Sequence, residues 1–134
     1  MSVEEYIEAM AEGYSDCLLW QAHYVDDHDW DCNRQECECE TTQMDEDFST
    51  EDFSDDLRDT INEDCKNFFD SNWPDLGDID PHQAGHDFML TRQGHGTGFW
   101  DRGLGAKGDR LTRSAKVYGE HNIEAEEGFI YSVN

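Results

Sequence analysis

Residues 50–70 read TEDFSDDLRDTINEDCKNFFD and show the most regular hydrophobic pattern of the chain. The apolar residues recur every three or four positions, a spacing that places them on one side of an α-helix. They are Phe53, Leu57, Ile61, Cys65 and Phe68. Thr50 is a suitable N-cap, and acidic residues follow it in the first turn, where the helix dipole favours them. The segment is therefore predicted to form an amphipathic helix that starts after Thr50.

Carboxylates occupy the opposite side of this predicted helix. They are Asp52, Asp55, Asp56, Asp59 and Glu63. At a rise of ~1.5 Å per residue the row spans about 16 Å, so that successive charges advance by about 4 Å. Phosphates on one strand of B-DNA follow one another at about 3.4 Å. The spacing predicts a helix face whose charge density approaches that of a nucleic-acid backbone.

A second amphipathic helix is predicted at the N-terminus, where Ser2 and Glu5 have the spacing of a capping box. Apolar residues again recur at intervals of three and four on one side. Glu4, Glu8 and Glu12 lie on the other side and form a second acidic row. Because Gly13 interrupts the pattern, we expect a kink or a break there.

The net charge of the chain is −24, and its distribution is uneven. Residues 1–90 contain 27 of the 33 acidic residues and three of the nine basic ones, whereas residues 91–134 contain six of each. This field argues against direct binding to nucleic acid or to anionic membranes, and it favours a partner with a basic surface. No apolar run is long enough to cross a bilayer, and the first ten residues do not resemble a signal peptide. We therefore expect a cytoplasmic protein.

Residues 23–48 show no regular period and contain ten acidic residues but one arginine, so we expect a long acidic loop. Within it, His28, Cys32, Cys37 and Cys39 offer four side chains of the kinds that bind zinc, and a bound ion would order the loop. Their spacing differs from the paired C-x2-C of most structural zinc sites. The alternative is that the cysteines are reduced, unliganded thiols.

The remainder of the chain, residues 83–134, is close to neutral and differs from the acidic part, residues 1–82. Residues 88–92 (FMLTR) and 99–102 (FWDR) are predicted as two strands joined by a glycine-rich turn. The apolar spacing within residues 104–118 favours a short helix.

A C-terminal hairpin is predicted from strands at 123–126 and 129–133, which flank a tight turn at Glu127 and Gly128. The neutral part would then be a ββαββ scaffold. The whole chain, residues 1–134, is thus predicted to be one α+β domain. In it two acidic helices precede a β-hairpin, a helix and a second β-hairpin, which together form a small antiparallel sheet.

Polar residues gather around the first of these predicted hairpins. They are His86, Asp87, His95, Asp101 and Arg102. A His–Asp pair across two strands could act as a general base. The alternative is structural, with an aspartate paired to Arg92 or Arg102. Since no nucleophile elbow, phosphate-binding loop or H-E-x-x-H motif is present, we do not expect an enzyme.

Residues 84–120 read AGHDFMLTRQGHGTGFWDRGLGAKGDRLTRSAKVYGE, and EEGFIY follows at 126–131. These strings resemble the C-terminal signature of a small protein family encoded mainly by bacteriophages and prophages. Residues 44–69 are similar to the acidic helix of the same family, so the resemblance covers about residues 44–131. It implies a phage setting and no particular reaction.

Small acidic phage proteins that inhibit restriction, CRISPR or DNA-repair enzymes present carboxylates to a groove built for nucleic acid, and this chain resembles them in size and charge. The sequence thus favours a nucleic-acid mimic that occupies the basic groove of a host DNA- or RNA-binding protein. One alternative is an interaction module ordered by zinc. Another is an accessory protein adapted to high salt, although the neutral C-terminal part argues against uniform adaptation.

Overall fold

The computed structural model describes residues 2–25, 41–43, 48–77, 79–94, 98–99 and 102–132. Its helices are α1 (Val3–Gln21), α2 (Asp55–Leu76), α3 (Pro81–Gln93) and α4 (Ala106–Lys116), and a 3-10 turn at Thr50–Asp52 precedes α2. Its strands are β1 (His23–Val25), β2 (Thr41–Gln43), β3 (Ile123–Glu126) and β4 (Phe129–Ser132). The described part of the chain is mainly helical.

The predicted α+β class, with two helices, a hairpin, a helix and a hairpin, is wrong because residues 88–92 lie within α3. Asp80 caps this helix by accepting a hydrogen bond from the Gln83 amide at 3.1 Å, and Pro81 occupies the first turn. Gly94 ends it in a left-handed conformation. Residues 87–92 are all buried, and a helix that is buried on most sides does not show a helical hydrophobic period. For this reason FMLTR reads as a strand in isolation.

Helix α1 begins as predicted, with the Ser2 hydroxyl accepting from the Glu5 amide at 3.1 Å. Gly13 does not break the helix, because α1 is continuous from Val3 to Gln21. A Cβ atom at Gly13 would collide with the carbonyl oxygen of His82, and one at Gly85 would collide with that of Met10. The two glycines therefore allow α1 and α3 to pack backbone against backbone.

Helix α2 begins later and ends later than predicted. Ser54, and not Thr50, is its N-cap, with its hydroxyl accepting from the Leu57 amide at 3.1 Å. The helix continues through Pro74 to Leu76, whose side chain is fully buried. The Tyr6 hydroxyl lies 3.1 Å from the Leu76 carbonyl oxygen, so it can satisfy an acceptor that the end of the helix leaves open.

The core is one cluster of buried residues drawn from both the acidic part and residues 83–134. At its centre the rings of Phe68 and Phe88 stack with centroids 4.2 Å apart, and Phe99 lies 5.7 Å from Phe68. The predicted ββαββ scaffold is therefore incorrect: α3 and α4 supply this region with helices that pack against α1 and α2.

The C-terminal hairpin is confirmed, with β3 and β4 antiparallel and Glu127 and Gly128 at the turn. Its buried residue Ile130 lies beside Phe53, and the Ser54 amide donates to the Ile130 carbonyl at 2.8 Å. The hairpin thereby contacts the start of α2.

The predicted loop at residues 23–48 is also corrected at its ends, where β1 and β2 pair in antiparallel fashion. Residues 26–40 and 44–47 lie outside the described residues. Among the described helices, none has both the length and the apolar content that a membrane span requires.

Candidate functional site

The exposed carboxylates of α1 and α2 form the strongest charged feature of the described structure, and we call them the acidic surface. Its members are Glu4, Glu8, Glu12, Asp55, Asp56, Asp59 and Glu63, all of which are exposed. On α2 the four members fall within about 100° of one another around the axis, on the side away from the core, at ~100° per residue. Each row predicted from sequence thus lies on a solvent-facing side of a packed helix.

Asp52, the remaining member of the predicted row, does not belong to α2. It lies in the 3-10 turn, is half-buried, and accepts a hydrogen bond from the Ser49 amide at 2.9 Å. Its carboxylate therefore caps the turn. Because Ser54 caps the helix four residues after the predicted cap Thr50, the continuous row on α2 begins at Asp55.

The acidic surface has little internal compensation. None of its seven carboxylates forms an ion pair within the described residues. Arg58, the nearest arginine in sequence, instead donates to the backbone carbonyls of Phe53, Thr50 and Glu51 at 3.0–3.2 Å. Its guanidinium thus stabilises the turn before α2 and does not neutralise a carboxylate of the acidic surface.

A groove of about 520 Å³ separates α1 from the start of α2 and is lined by acidic residues of α1 and of the turn that precedes α2. Glu8, Glu12 and Asp16 line it from α1, and Glu51 and Arg58 line it from the other side. Glu51 is not among the predicted contacts, whereas Asp16 continues the four-residue spacing of the α1 row. Glu8 and Glu12 of the α1 row therefore share one groove with Glu51 of the turn before α2.

A buried polar cluster around Arg92 lies apart from the acidic surface. The Arg92 side chain is almost fully buried, and its Nη1 donates to Asp64 Oδ2 at 2.9 Å and to the Tyr14 hydroxyl at 2.8 Å. The Tyr14 oxygen lies 2.6 Å from Nδ1 of His121, whose Nε2 is 3.1 Å from the Ser132 hydroxyl. Since a guanidinium only donates, Tyr14 accepts from Arg92 and donates to His121, which fixes the imidazole proton on Nε2.

Burial governs the titration of this cluster. Desolvation, assisted by the nearby Arg92 charge, lowers the pKa of His121 from 6.5 to about 4. Desolvation also raises the pKa of Tyr14 well above its usual range. The histidine and the phenol are thus neutral at pH 7, and they connect α1 to the C-terminal hairpin without serving as acid or base near neutrality. The sequence offered one signal for this cluster, namely an arginine at the end of an apolar run.

Asp87, one of the predicted general-base candidates, forms structural contacts instead. Asp87 is buried and accepts from Arg102 Nη2 at 2.8 Å and from Nε at 3.2 Å. Gln83 donates to the same carboxylate at 2.9 Å. This is the structural alternative, with Asp87 and Arg102 as the pair. His95 and Asp101 lie outside the described residues.

His86 is the member of this set that lacks a structural partner. Its Nδ1 is buried and has no hydrogen bond within the described part of the chain, and its ring centroid is 6.2 Å from that of Trp20. Desolvation is the main cause that lowers its pKa. The imidazole is neutral at pH 7 and packs against an exposed indole, with no carboxylate oriented to assist it as a base.

The proposed zinc ligands His28, Cys32, Cys37 and Cys39 all lie outside the described residues. Within the described ranges no group of three or more His, Cys, Asp or Glu side chains is arranged to hold a metal ion. The two described cysteines, Cys17 and Cys65, are free thiols in the core. Burial raises the pKa of Cys17 to about 12, so this thiol is protonated and unreactive at pH 7.

Comparisons with known proteins give no relative on which function could rest. No family model matches the chain, and neither the curated proteins nor the solved structures include a match. The resemblance of residues 44–131 to a phage family therefore stays a prediction. The acidic surface is the candidate site because its carboxylates have no ion-pair partner among the described residues.

Proposed function

We propose that this protein is a phage-encoded nucleic-acid mimic that acts in the host cytoplasm. It inhibits a host protein that binds DNA or RNA by occupying the basic groove of that protein. The observation that carries the proposal is the acidic surface, in which seven exposed carboxylates on two packed helices have no ion-pair partner among the described residues.

Electrostatics supply the mechanism. A basic groove that normally holds phosphates concentrates counterions, and an array of carboxylates releases them as a nucleic-acid backbone does. Asp55, Asp56, Asp59 and Glu63 provide the main contacts from α2, and Asp52 lies beside them in the preceding turn. The α1 row of Glu4, Glu8 and Glu12 extends the contact onto the helix that packs against α2.

Rigidity supports the same proposal. Leu57 and Ile61 bury the inner side of α2, and Met10 and Tyr14 bury that of α1, so the carboxylates project from helices anchored in the core. A fixed array loses little conformational entropy on binding, whereas a disordered acidic tail would lose much more.

The ion pairs formed by arginines of the C-terminal part argue against the alternative that the acidic composition is only an adaptation to high salt. Arg92 and Arg110 of the C-terminal part pair with Asp64 and Asp75 of α2, at 2.9 Å and 2.7 Å. These pairs neutralise the parts of α2 that contact the rest of the protein. The outward face remains charged, as a binding surface for a cationic partner would.

The test is capture of host proteins from a lysate on the immobilised full chain, at low and high ionic strength. We expect nucleic-acid-binding proteins to be retained at low salt, released at high salt and displaced by duplex DNA or RNA. The variant Asp59→Lys with Glu63→Lys should lose at least about tenfold in affinity for the retained protein, since two attractive contacts become repulsive. These positions avoid the first turn of α2, where Asp55 and Asp56 also stabilise the helix.

The matched control is Glu124→Lys with Glu127→Lys, which makes the same change in net charge at exposed positions in the C-terminal hairpin. Retention unchanged by Asp59→Lys with Glu63→Lys, or reduced equally by the control, would show that the acidic surface is not the binding site.

A further inference from the structure

A second exposed feature lies at the far end of α2, where an apolar groove of about 420 Å³ opens between the ends of three helices. Val3 and Tyr6 of α1 line it, together with Phe69 and Trp73 of α2 and Ile79 before α3. Val3 is 56% exposed and Trp73 is 60% exposed. Large apolar side chains left open to water in one groove indicate a surface for a partner.

Contacts among the residues that line this groove hold their side chains in place. The rings of Tyr6 and Phe69 lie 5.1 Å apart, and the Tyr6 hydroxyl is 2.8 Å from the carbonyl oxygen of Ile79. The walls therefore belong to packed helices, and a guest side chain would enter a preformed site. Preformed apolar pockets are the places where interfaces concentrate their binding energy.

Charge around the groove indicates what kind of guest it accepts. Asp70 and Trp73 lie on the outward side of α2, on the same side as Asp59 and Glu63 of the acidic surface, by the ~100° rotation per residue of an α-helix. Asp80 lines the groove itself. An apolar guest is therefore approached through carboxylates, which attract a guest flanked by lysine or arginine and repel one flanked by acids.

We propose that the groove receives an apolar side chain, aromatic or leucine, that projects from the basic surface of the partner and is flanked by lysine or arginine. This inference rests on the proposed function, because it assigns to the same partner a second, uncharged contact. The acidic surface then supplies attraction over distance, and the groove supplies the anchor that selects among basic surfaces.

The experiment uses two short synthetic peptides in which lysines alternate with serines. One peptide has a central phenylalanine and the other a central serine, and the affinity of each for the full chain is measured by fluorescence anisotropy. We expect the phenylalanine peptide to bind about tenfold more tightly, equivalent to about 1.4 kcal/mol. The ratio of the two affinities should persist as salt is added, while both affinities fall, because burial of the ring does not depend on charge.

Three single substitutions test whether the ratio of the two peptide affinities depends on the groove. Trp73→Ser should bring it close to one, and Val3→Ser, at an exposed position in the first turn of α1, should reduce it. Trp20→Ser is the control, because Trp20 is 52% exposed and contacts His86 outside the groove. Unfolding midpoints of all three variants establish that the fold is retained.

Three results would overturn the inference. These are equal affinities for the two peptides, a ratio that survives in Trp73→Ser, and a self-association of the chain that Trp73→Ser abolishes, which would assign the groove to a second copy. Asp59→Lys with Glu63→Lys separates this inference from the proposed function, since it should weaken both peptides equally and keep their ratio. If that variant leaves both affinities unchanged while their ratio persists, the result contradicts the proposed nucleic-acid mimic. It would still support the groove as the binding site for an apolar side chain.

Discussion

Arg92 on α3 donates a hydrogen bond from Nη1 to Oδ2 of Asp64 on α2, with 2.9 Å between the two atoms. Its side chain is 5% exposed, and that of Asp64 is 21% exposed. The same guanidinium donates from Nε to the Gly119 carbonyl at 2.8 Å and contacts the Tyr14 hydroxyl. One buried cation thus connects α1, α2, α3 and the segment that leads to the C-terminal hairpin.

Replacing Arg92 with methionine should lower the free energy of unfolding by about 3 kcal/mol or more, because it leaves the Asp64 carboxylate and two backbone carbonyls without their donor. Arg92→Lys should recover only part of the loss, since an ammonium cannot reproduce the planar set of donors. Urea denaturation gives the values. Arg113→Met is the control, because Arg113 is exposed on α4, and its effect should stay within about 0.5 kcal/mol. A similar loss in both methionine variants would contradict the role assigned to Arg92.

Gly85→Ala should destabilise the protein by about 1–3 kcal/mol, because a methyl group there would force α1 and α3 apart. Gly77→Ala is the matched control, because Gly77 is exposed and has an αR backbone. A Cβ atom there would lie 3.7 Å from the Trp73 carbonyl oxygen, which is an ordinary van der Waals contact. That substitution should be neutral or stabilising by up to about 1 kcal/mol. Thermal unfolding of the two variants measures the difference, and a stable Gly85→Ala protein would show that the helices are not in close contact.

His121 should make stability depend on pH below neutrality. Its pKa is lowered in the folded state from 6.5 to about 4, so as pH falls below 6.5 the unfolded chain binds the proton first. The contribution is complete above pH 6.5 and is lost as pH falls to about 4, a change of about 3 kcal/mol at roughly 1.4 kcal/mol per unit. Urea denaturation between pH 7 and pH 4.5 measures the dependence.

The comparison variant for this dependence is His121→Gln, which has no imidazole to titrate. Protonation of exposed carboxylates affects both proteins and relieves repulsion in both, so the difference between the two curves reports His121 alone. Parallel curves would mean that the imidazole is not held neutral by burial.

Glu127 has a backbone φ of 54° and Gly128 one of 84°, as a tight hairpin turn with two left-handed residues requires. Glu127→Asn should therefore raise the free energy of unfolding by about 0.5–1 kcal/mol, because asparagine tolerates this conformation better than glutamate. Gly128→Ala should have the opposite sign, since alanine is strained at this φ. Thermal unfolding of both variants checks the signs, and a destabilised Glu127→Asn protein would contradict the turn geometry.

Salt should stabilise the protein by screening repulsion within the acidic surface. The unfolding midpoint is expected to rise between low and moderate sodium chloride, and Asp59→Lys with Glu63→Lys should reduce the rise, because it introduces opposite charges into the surface. Glu124→Lys with Glu127→Lys should reduce it less, as those residues lie outside the acidic surface. Equal reductions would indicate that stability responds only to net charge.

Local sequence patterns predicted the structure best where one side of a helix or strand faces water. The outward carboxylates of α2, the Ser2 cap of α1 and the turn at Glu127 and Gly128 follow from neighbours three or four positions apart or from the dihedral angles of single residues. Even here Ser54 replaced Thr50 as the cap of α2, because two serine or threonine hydroxyls within one turn compete and packing of Phe53 and Leu57 decides between them.

The sequence by itself determined the charge of this protein, its amphipathic helices and its terminal hairpin, since these depend on short-range spacing. Tertiary structure alone decided that residues 88–92 are helical, that Gly13 is a contact between helices, and that Glu8 and Glu12 share one groove with Glu51. It also chose the partners of Arg92, which lie 28 and 78 positions away in Asp64 and Tyr14. Burial on most sides removes the periodicity that distinguishes a helix from a strand, and the choice of a buried ion pair depends on which distant elements pack together.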